Sequence, residues 1–197
     1  MEFRFEQLRA TQAAALVTRV AGADGRINYT KLLKIMYLAD RQSLIESGST
    51  ITGDRVFNMK NGHVLSEVYD CVKASPSHEH QIWSRYFRKD GYDVVLHGDP
   101  STSKLSDFDT DVLTALALKY KGHSWQQLVE VVHALKEWNE PEDGGADLLP
   151  YEAILRAEGF SEEDVQAYQH QNAAIVAFDN ATTAAYDKRV AEALAAE

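Results

Sequence analysis

The side chains that could carry chemistry are few and scattered. His78 and His80 form the one close histidine pair, and a metal site needs three or four ligands. His63, His97, His123, His133 and His170 stand far apart in the chain, so no metal site is expected. Cys71, the single cysteine, sits at helical spacing among apolar residues, whereas a reactive thiol needs a basic, exposed setting. Asp40 projects into the apolar arc of a helix, where a carboxylate must be hydrogen-bonded or paired. It could serve as a catalytic acid or a ligand. It could equally be a structural polar anchor held by backbone N–H groups or by Arg55, and this is the expected role, since structural pairing also accounts for buried acids. The chain has no phosphate-binding Gly loop, no CxxC pair and no G-x-S-x-G elbow. No catalytic residue and no cofactor is assigned, and the chain is not expected to be an enzyme.

Charge is placed unevenly. Residues 1–95 carry 13 Lys/Arg against 11 Asp/Glu, and residues 96–197 carry 7 against 19, so the second half carries -12 and the first +2 of the net charge of -10. Between Glu137 and Asp164 ten acidic residues face only Arg156. Such a surface repels nucleic acid, whose affinity rests on neutralised phosphates. It attracts a basic protein surface, and it also simply aids solubility. The carboxylates are too numerous and too solvent-facing to nominate an acid–base pair. No apolar run reaches membrane-spanning length, and the N-terminus has charges where a signal peptide needs an apolar core. A lone cysteine cannot make an internal disulfide and fits the reducing cytoplasm.

The elements that must position these groups are mostly helices. Residues 6–21 form the first, with Gly22 as C-cap. Asn28 caps a second helix of about residues 28–47 that ends at Gly48. At 100° per residue, Leu32, Leu33, Met36, Tyr37 and Leu44 cover one arc of it. Leu38 and Ile45 lie nearly opposite, among Lys34, Arg41 and Gln42. A helix apolar on two sides is packed from two sides, so it belongs at the centre of the fold. Residues 53–59 lean to β, Asn61-Gly62 makes a turn, and residues 64–74 return to helix. Pro76 and Ser77 open a helix reaching Lys89, and residues 92–97 give a second strand. The two strands are expected to pair as a two-stranded antiparallel element. Ser106 and Ser124 start further helices, the latter with an apolar face from Trp125 to Trp138. His133 lies on that helix's polar flank, as a surface or loop-contacting residue. Residues 141–149 read as an acidic loop and residues 151–158 as a short helix.

From Ser161 there is neither Gly nor Pro. Val165, Tyr168, Asn172, Ile175, Val176, Thr183, Tyr186, Val190 and Leu194 form one helical stripe. One helix over this segment spans about 50 Å, more than a small domain is wide. It folds back on its own core, projects to bind a partner, pairs with a second copy in a homo-oligomer, or breaks near Asp179-Asn180. The fold class is therefore mainly α: a compact multi-helix domain over residues 1–160 and a C-terminal helical extension over residues 161–197.

The order TKLLKIMYLADRQSL, ITGDRVFNMKNGHVLSEVYD, HSWQQLVEVVHALKEWNEP and YEAILRAEGFSEEDV resembles the Panacea domain family of SocA-like antitoxins, over about residues 5–165. In that family the turn carries a Gly followed by Pro-Val before Leu-Ser. Here Asn61-Gly62-His63-Val64-Leu65-Ser66 puts His63 in place of the Pro, a departure that leaves the turn looser. The family's late His…Glu-Trp pattern falls on His133, Glu137 and Trp138. The resemblance implies a protein often encoded beside a toxin, in bacteria or on phages and other mobile elements. It implies neutralisation of a cognate protein toxin by direct binding and occlusion of its active site. The acidic half suits a toxin with a basic surface; no nucleic acid and no membrane is expected as partner. Candidate partner-binding residues are Asn61, Gly62, His63, His133, Glu137 and Trp138, with Tyr168 and Tyr186 on the last helix. One alternative is a proteolytic adaptor that delivers a toxin to an ATP-dependent protease. Another is a hydrolase built on Asp40 or on His78 and His80, which needs a concave pocket converging on those residues. A transcriptional regulator fits least, since no basic recognition helix is evident.

Overall fold

The computed structural model describes residues 1–73 and 81–194, and for residues 143, 179, 180 and 183–194 the backbone alone; His78 and His80 lie outside the described residues. Along the chain run α1 (Gln7–Ala21), β1 (Arg26–Asn28), α2 (Tyr29–Ser47), β2 (Val56–Met59), β3 (Val64–Leu65), α3 (Ser66–Lys73) and α4 (Gln81–Ser84). There follow β4 (Phe87–Asp90), β5 (Asp93–Leu96), α5 (Asp107–Lys119), α6 (Trp125–His133), a 3-10 turn (Glu142–Gly144), β6 (Ala146–Leu149), α7 (Tyr151–Ala157) and α8 (Glu162–Leu194). The chain is mainly helical, with small antiparallel sheets.

Every residue of α2 from 32 to 40 is buried, so this stretch shows no face to solvent. Helices α1, α3, α5, α6 and α7 pack around it. Its ends follow from local chemistry. The Asn28 side chain accepts from the backbone N–H groups of Thr30 and Lys31, which the first turn of a helix leaves without partners. Gly48 closes it at φ +73, a left-handed conformation natural to glycine. Helix α1 is thin where it is buried: Ala10, Ala13, Ala14 and Ala15 let it approach α5 and α2 closely. Helices α5 and α6 both begin on reciprocal capping boxes, Ser106 with Asp109 and Ser124 with Gln127.

The two expected strands do not pair with each other. Each belongs to its own three-stranded antiparallel sheet, in the orders β1-β5-β4 and β3-β2-β6. The tight turn at Gly91 commits β5 to β4, with Asp90 opposite Asp93, and β1 takes its other edge. Strand β2 pairs with β3 through the Gly62 turn and, on its other side, with β6. Three boundaries move for the same reason. Val64 and Leu65 extend opposite Phe57 and Val56 before the helix starts at Ser66. Phe87–Asp90 leaves the expected helix to form β4. Part of the expected acidic loop becomes β6. Helix α6 also stops at His133, with Leu135 and Trp138 in the turns that follow.

Helix α8 runs over 33 residues. Val165 and Asn172 are buried and Tyr168 is half-buried. Asn172 holds the backbone of Glu2 from both sides, accepting from its N–H at 2.8 Å and donating to its C=O at 2.9 Å. Past Asn172 the described side chains are exposed or half-buried, and Phe178 is 71 % exposed.

Ile35, fully buried on α2, tests the central packing. Ile35→Ala is expected to lower unfolding stability by about 2–5 kcal/mol in chemical denaturation; a loss under about 1 kcal/mol would contradict it.

Candidate functional site

Lys34, Tyr37 and Arg41 stand at i, i+3 and i+7 on α2 and so share one face. That face meets the turn at residues 61–63 and the segment 133–138. The Lys34 ammonium donates to the His63 carbonyl at 2.6 Å and is almost wholly buried. Burial brings its pKa down to about 7, because it penalises the charged form. The His63 ring is fully buried against Tyr37, with centroids 4.3 Å apart, and neither ring nitrogen has a partner. Burial first, then the nearby positive Lys34 and Arg41, hold its pKa down to about 3, so the imidazole is neutral.

Gly62 makes this arrangement possible. Its φ is +85, and a Cβ there would lie 2.3 Å from Val132 Cγ2 and 3.3 Å from His133 Cδ2. The turn therefore rests directly on the end of α6. His133 is half-buried and stacks on Trp138, with centroids 3.9 Å apart and an interplanar angle of 21°. His133 Nε2 and Trp138 Nε1 are buried without a hydrogen-bond partner. The loop-contacting half of the expectation for His133 describes what it does; it touches the turn rather than standing free on a polar flank.

Glu137 closes the cluster. Its buried carboxylate accepts from Tyr37 Oη at 3.0 Å and from Arg41 Nε at 2.6 Å. Arg41 donates in addition to Glu158. Burial first and Glu137 next push the Tyr37 phenol well above its usual pKa, so it remains a donor. An ion pair this deep stabilises little over an apolar substitute, but loss of one member leaves an unpaired buried charge.

Two buried acids lie on other sides of α2. Asp40 Oδ1 accepts from the backbone N–H groups of Ile51 and Thr52, both at 3.0 Å, and Oδ2 accepts from the Thr52 hydroxyl. Burial pushes its pKa up to about 6 against those donors. Arg55 is not its partner; it pairs with Glu67 at 2.9 Å. Asp54 accepts from the backbone N–H groups of Glu67 and Val68, both at 2.9 Å, and so caps α3. Burial pushes Asp54 up to about 7.

Of the candidate residues, Gly62, His63, His133, Glu137 and Trp138 come together in space, with Asn61 exposed at the tip of the turn. His63 and Glu137 are buried, so their side chains hold this surface from beneath. Tyr168 lies elsewhere, edge-on to Phe160 at 5.7 Å and with its ring over Gly48. The Tyr186 side chain lies outside the described residues. Lys34, Tyr37 and Arg41 are additions to the expected set, and their i, i+3, i+7 spacing is the signal that could have shown them. Most of these groups make interior contacts, and Glu137 also lines a groove of about 560 Å3 beside β6 and α7. A cavity of about 700 Å3 lies between the N-terminal segment, the loop after α2 and α8, and Asp40 is not among its lining. Among the described residues no three His, Cys, Asp or Glu side chains converge on a metal position, and no helix is long and apolar enough to cross a membrane.

Glu137→Ala is expected to cost about 3–5 kcal/mol in chemical denaturation, because Arg41 and Tyr37 lose their shared acceptor; a cost under about 1 kcal/mol would contradict the pairing. His63 gives a pH dependence. Its folded pKa lies below the ordinary 6.5, so the folded state binds fewer protons and its contribution is complete above that pH and lost as pH falls. Relative to His63→Phe, the unmodified chain is expected to lose about 1.5 kcal/mol between about pH 6.5 and about pH 5. Parallel stability curves for the two proteins would show that His63 protonates freely in the fold.

No curated protein and no solved structure matches the chain. The family model of the antitoxin SocA-like, Panacea domain matches residues 32–139, more than half of its length. The match opens inside α2 and closes one residue after Trp138, so it encloses the cluster from Lys34 to Trp138 and leaves out Glu158. The chain belongs to the SocA-like antitoxin, Panacea-domain family.

Proposed function

We propose that this chain is an antitoxin that neutralises a cognate protein toxin by binding it directly and occluding its active site. Family membership is the observation that carries the reading. Two features of the molecule support binding as the mechanism. The buried charges Arg41, Glu137 and Lys34 are satisfied inside the fold, which suits a rigid docking body. Helix α8 carries exposed apolar side chains, Ile175 at 50 % and Phe178 at 71 %, beyond the point where it packs on the body. Exposed apolar groups on a helix suit insertion into a partner's groove.

In this reading residues 1–160 are the domain and residues 161–197 an extension that tunes partner choice. Asn61, His133 and Trp138 face the partner at one end of the body, with Gly62, His63 and Glu137 holding them in place. Tyr168 and Tyr186 belong to the second contact, on α8. The acidic second half favours a toxin with a basic surface.

Co-expression with the product of the adjacent gene tests this. The neighbour is expected to arrest growth alone and to be tolerated and co-purified with this chain, at an unchanged toxin level. Rescue with a vanishing toxin and no complex would favour a proteolytic adaptor, and a harmless neighbour with no complex would overturn the antitoxin reading. Deletion of residues 165–197 would also remove Val165, Tyr168 and Asn172 from the body, so a cut after residue 174 is the sharper test of the helix. That truncation is expected to weaken toxin binding at least about tenfold, and full neutralisation by the shortened chain would remove α8 from the interface.

A further inference from the structure

We propose that the outer edge of β6 is a third contact for the toxin, which adds an extended segment bearing Lys or Arg as a strand to the sheet β3-β2-β6. The inference rests on the antitoxin reading and names the surface and the chemistry of its partner. Strand β6 is bonded on one side only among the described residues, with Val56 opposite Leu149 and Met59 opposite Ala146. In an antiparallel ladder alternate residues turn their N–H and C=O groups away from the partner strand. The free edge is therefore a row of donors and acceptors ready for another chain. Ala146, Asp147 and Leu148 are exposed, Leu148 at 57 %.

The chemistry beside the edge selects a cation. A groove of about 560 Å3 runs along β6, lined by Asn58, Asp147 and Leu149 and by Ala153 and Arg156 of α7. Asn58 is 5 % exposed, and its side-chain carbonyl has no donor. A Lys or Arg side chain of the added strand, a donor without acceptors, would pair with the exposed Asp147 carboxylate. Glu140, Glu142 and Asp147 are exposed and make no ion pair among the described residues. Arg156, the cation nearest in sequence on the α7 side, is engaged by Glu162 at 2.5 Å, which leaves Lys136 as the opposing charge in the groove. A second copy of this chain fits the edge poorly, since antiparallel pairing of two β6 strands would bring two Asp147 carboxylates onto one short ladder. A basic extended segment meets no such repulsion.

The test measures binding of the full chain to the purified protein of the adjacent gene, together with backbone amide exchange. The Glu142→Lys, Asp147→Lys double variant is expected to bind at least about tenfold more weakly. Glu140→Lys with Glu142→Lys, which leaves the ladder untouched, is expected to weaken binding in the same direction, and Asp111→Lys, exposed on α5, to leave it unchanged. Amides of residues 146–148 are expected to exchange more slowly in the complex. Binding by the double variant within about twofold of the unmodified chain, or unchanged exchange at β6 in a formed complex, overturns the edge proposal and leaves the antitoxin reading standing. A homodimer dissolved by Asp147→Lys would give the edge to a second copy and equally overturn it. An unmodified chain that binds nothing and rescues nothing would remove both readings together.

Discussion

The guanidinium of Arg41 is held where water barely reaches it, with 11 % of its side chain exposed. A charge in that position must be matched, or the fold around it opens. Its partners come from residues 96 and 117 positions further along, Glu137 after α6 and Glu158 at the end of α7. Arg41 therefore ties the central helix to both later helices at one point. Tyr37, a turn earlier, shares the Glu137 carboxylate, and Lys34, a turn earlier again, fastens the Gly62 turn through the His63 carbonyl. Three side chains on one stripe of α2 thus fix the turn, α6 and α7 against it.

The other sides of α2 obey the same constraint. A helix buried all round cannot turn its polar groups to solvent, so each needs a partner where it points. Asp40 meets the N–H groups of Ile51 and Thr52, which bends the chain back over the helix just before Gly53. Gly53 then passes against the backbone of Arg4, closer than any Cβ would allow. Asp54 follows and caps α3. The two groups of buried charge pull in opposite directions with pH. Raised Asp40 and Asp54 favour the fold at lower pH and lose that contribution as pH rises through about 6 and about 7. Lowered His63 favours the fold at higher pH.

Much of this frame was legible from residue types. Asn28, Ser106 and Ser124 announced helix starts because a capping side chain acts within three residues, and Gly48 announced an end for the same local reason. The order and spacing of motifs carried the family. The sheets were not legible to the same degree. Strand β6 has no β-branched residue and exists because β2, ninety residues earlier, offers it a ladder. The short strand at Val64-Leu65 has helical spacing and yields to pairing across a two-residue turn. Lys34 and Arg41 stand beside Leu38 and Ile45 on the second side of α2, and their residue types alone announce no buried partner. Their burial depends on a carbonyl and two carboxylates that the chain brings in from a distance. Asn58 gave no signal, since its isolation is visible only once β6 covers it.

Neutralisation by contact is the central claim about this chain. The most direct measurement titrates the purified chain against the purified toxin, with no protease present, while following the toxin's own activity. Toxin activity is expected to fall in proportion to added chain and to vanish at a fixed stoichiometric ratio. Toxin that stays fully active under saturating chain, and is lost only when an ATP-dependent protease is added, would contradict it.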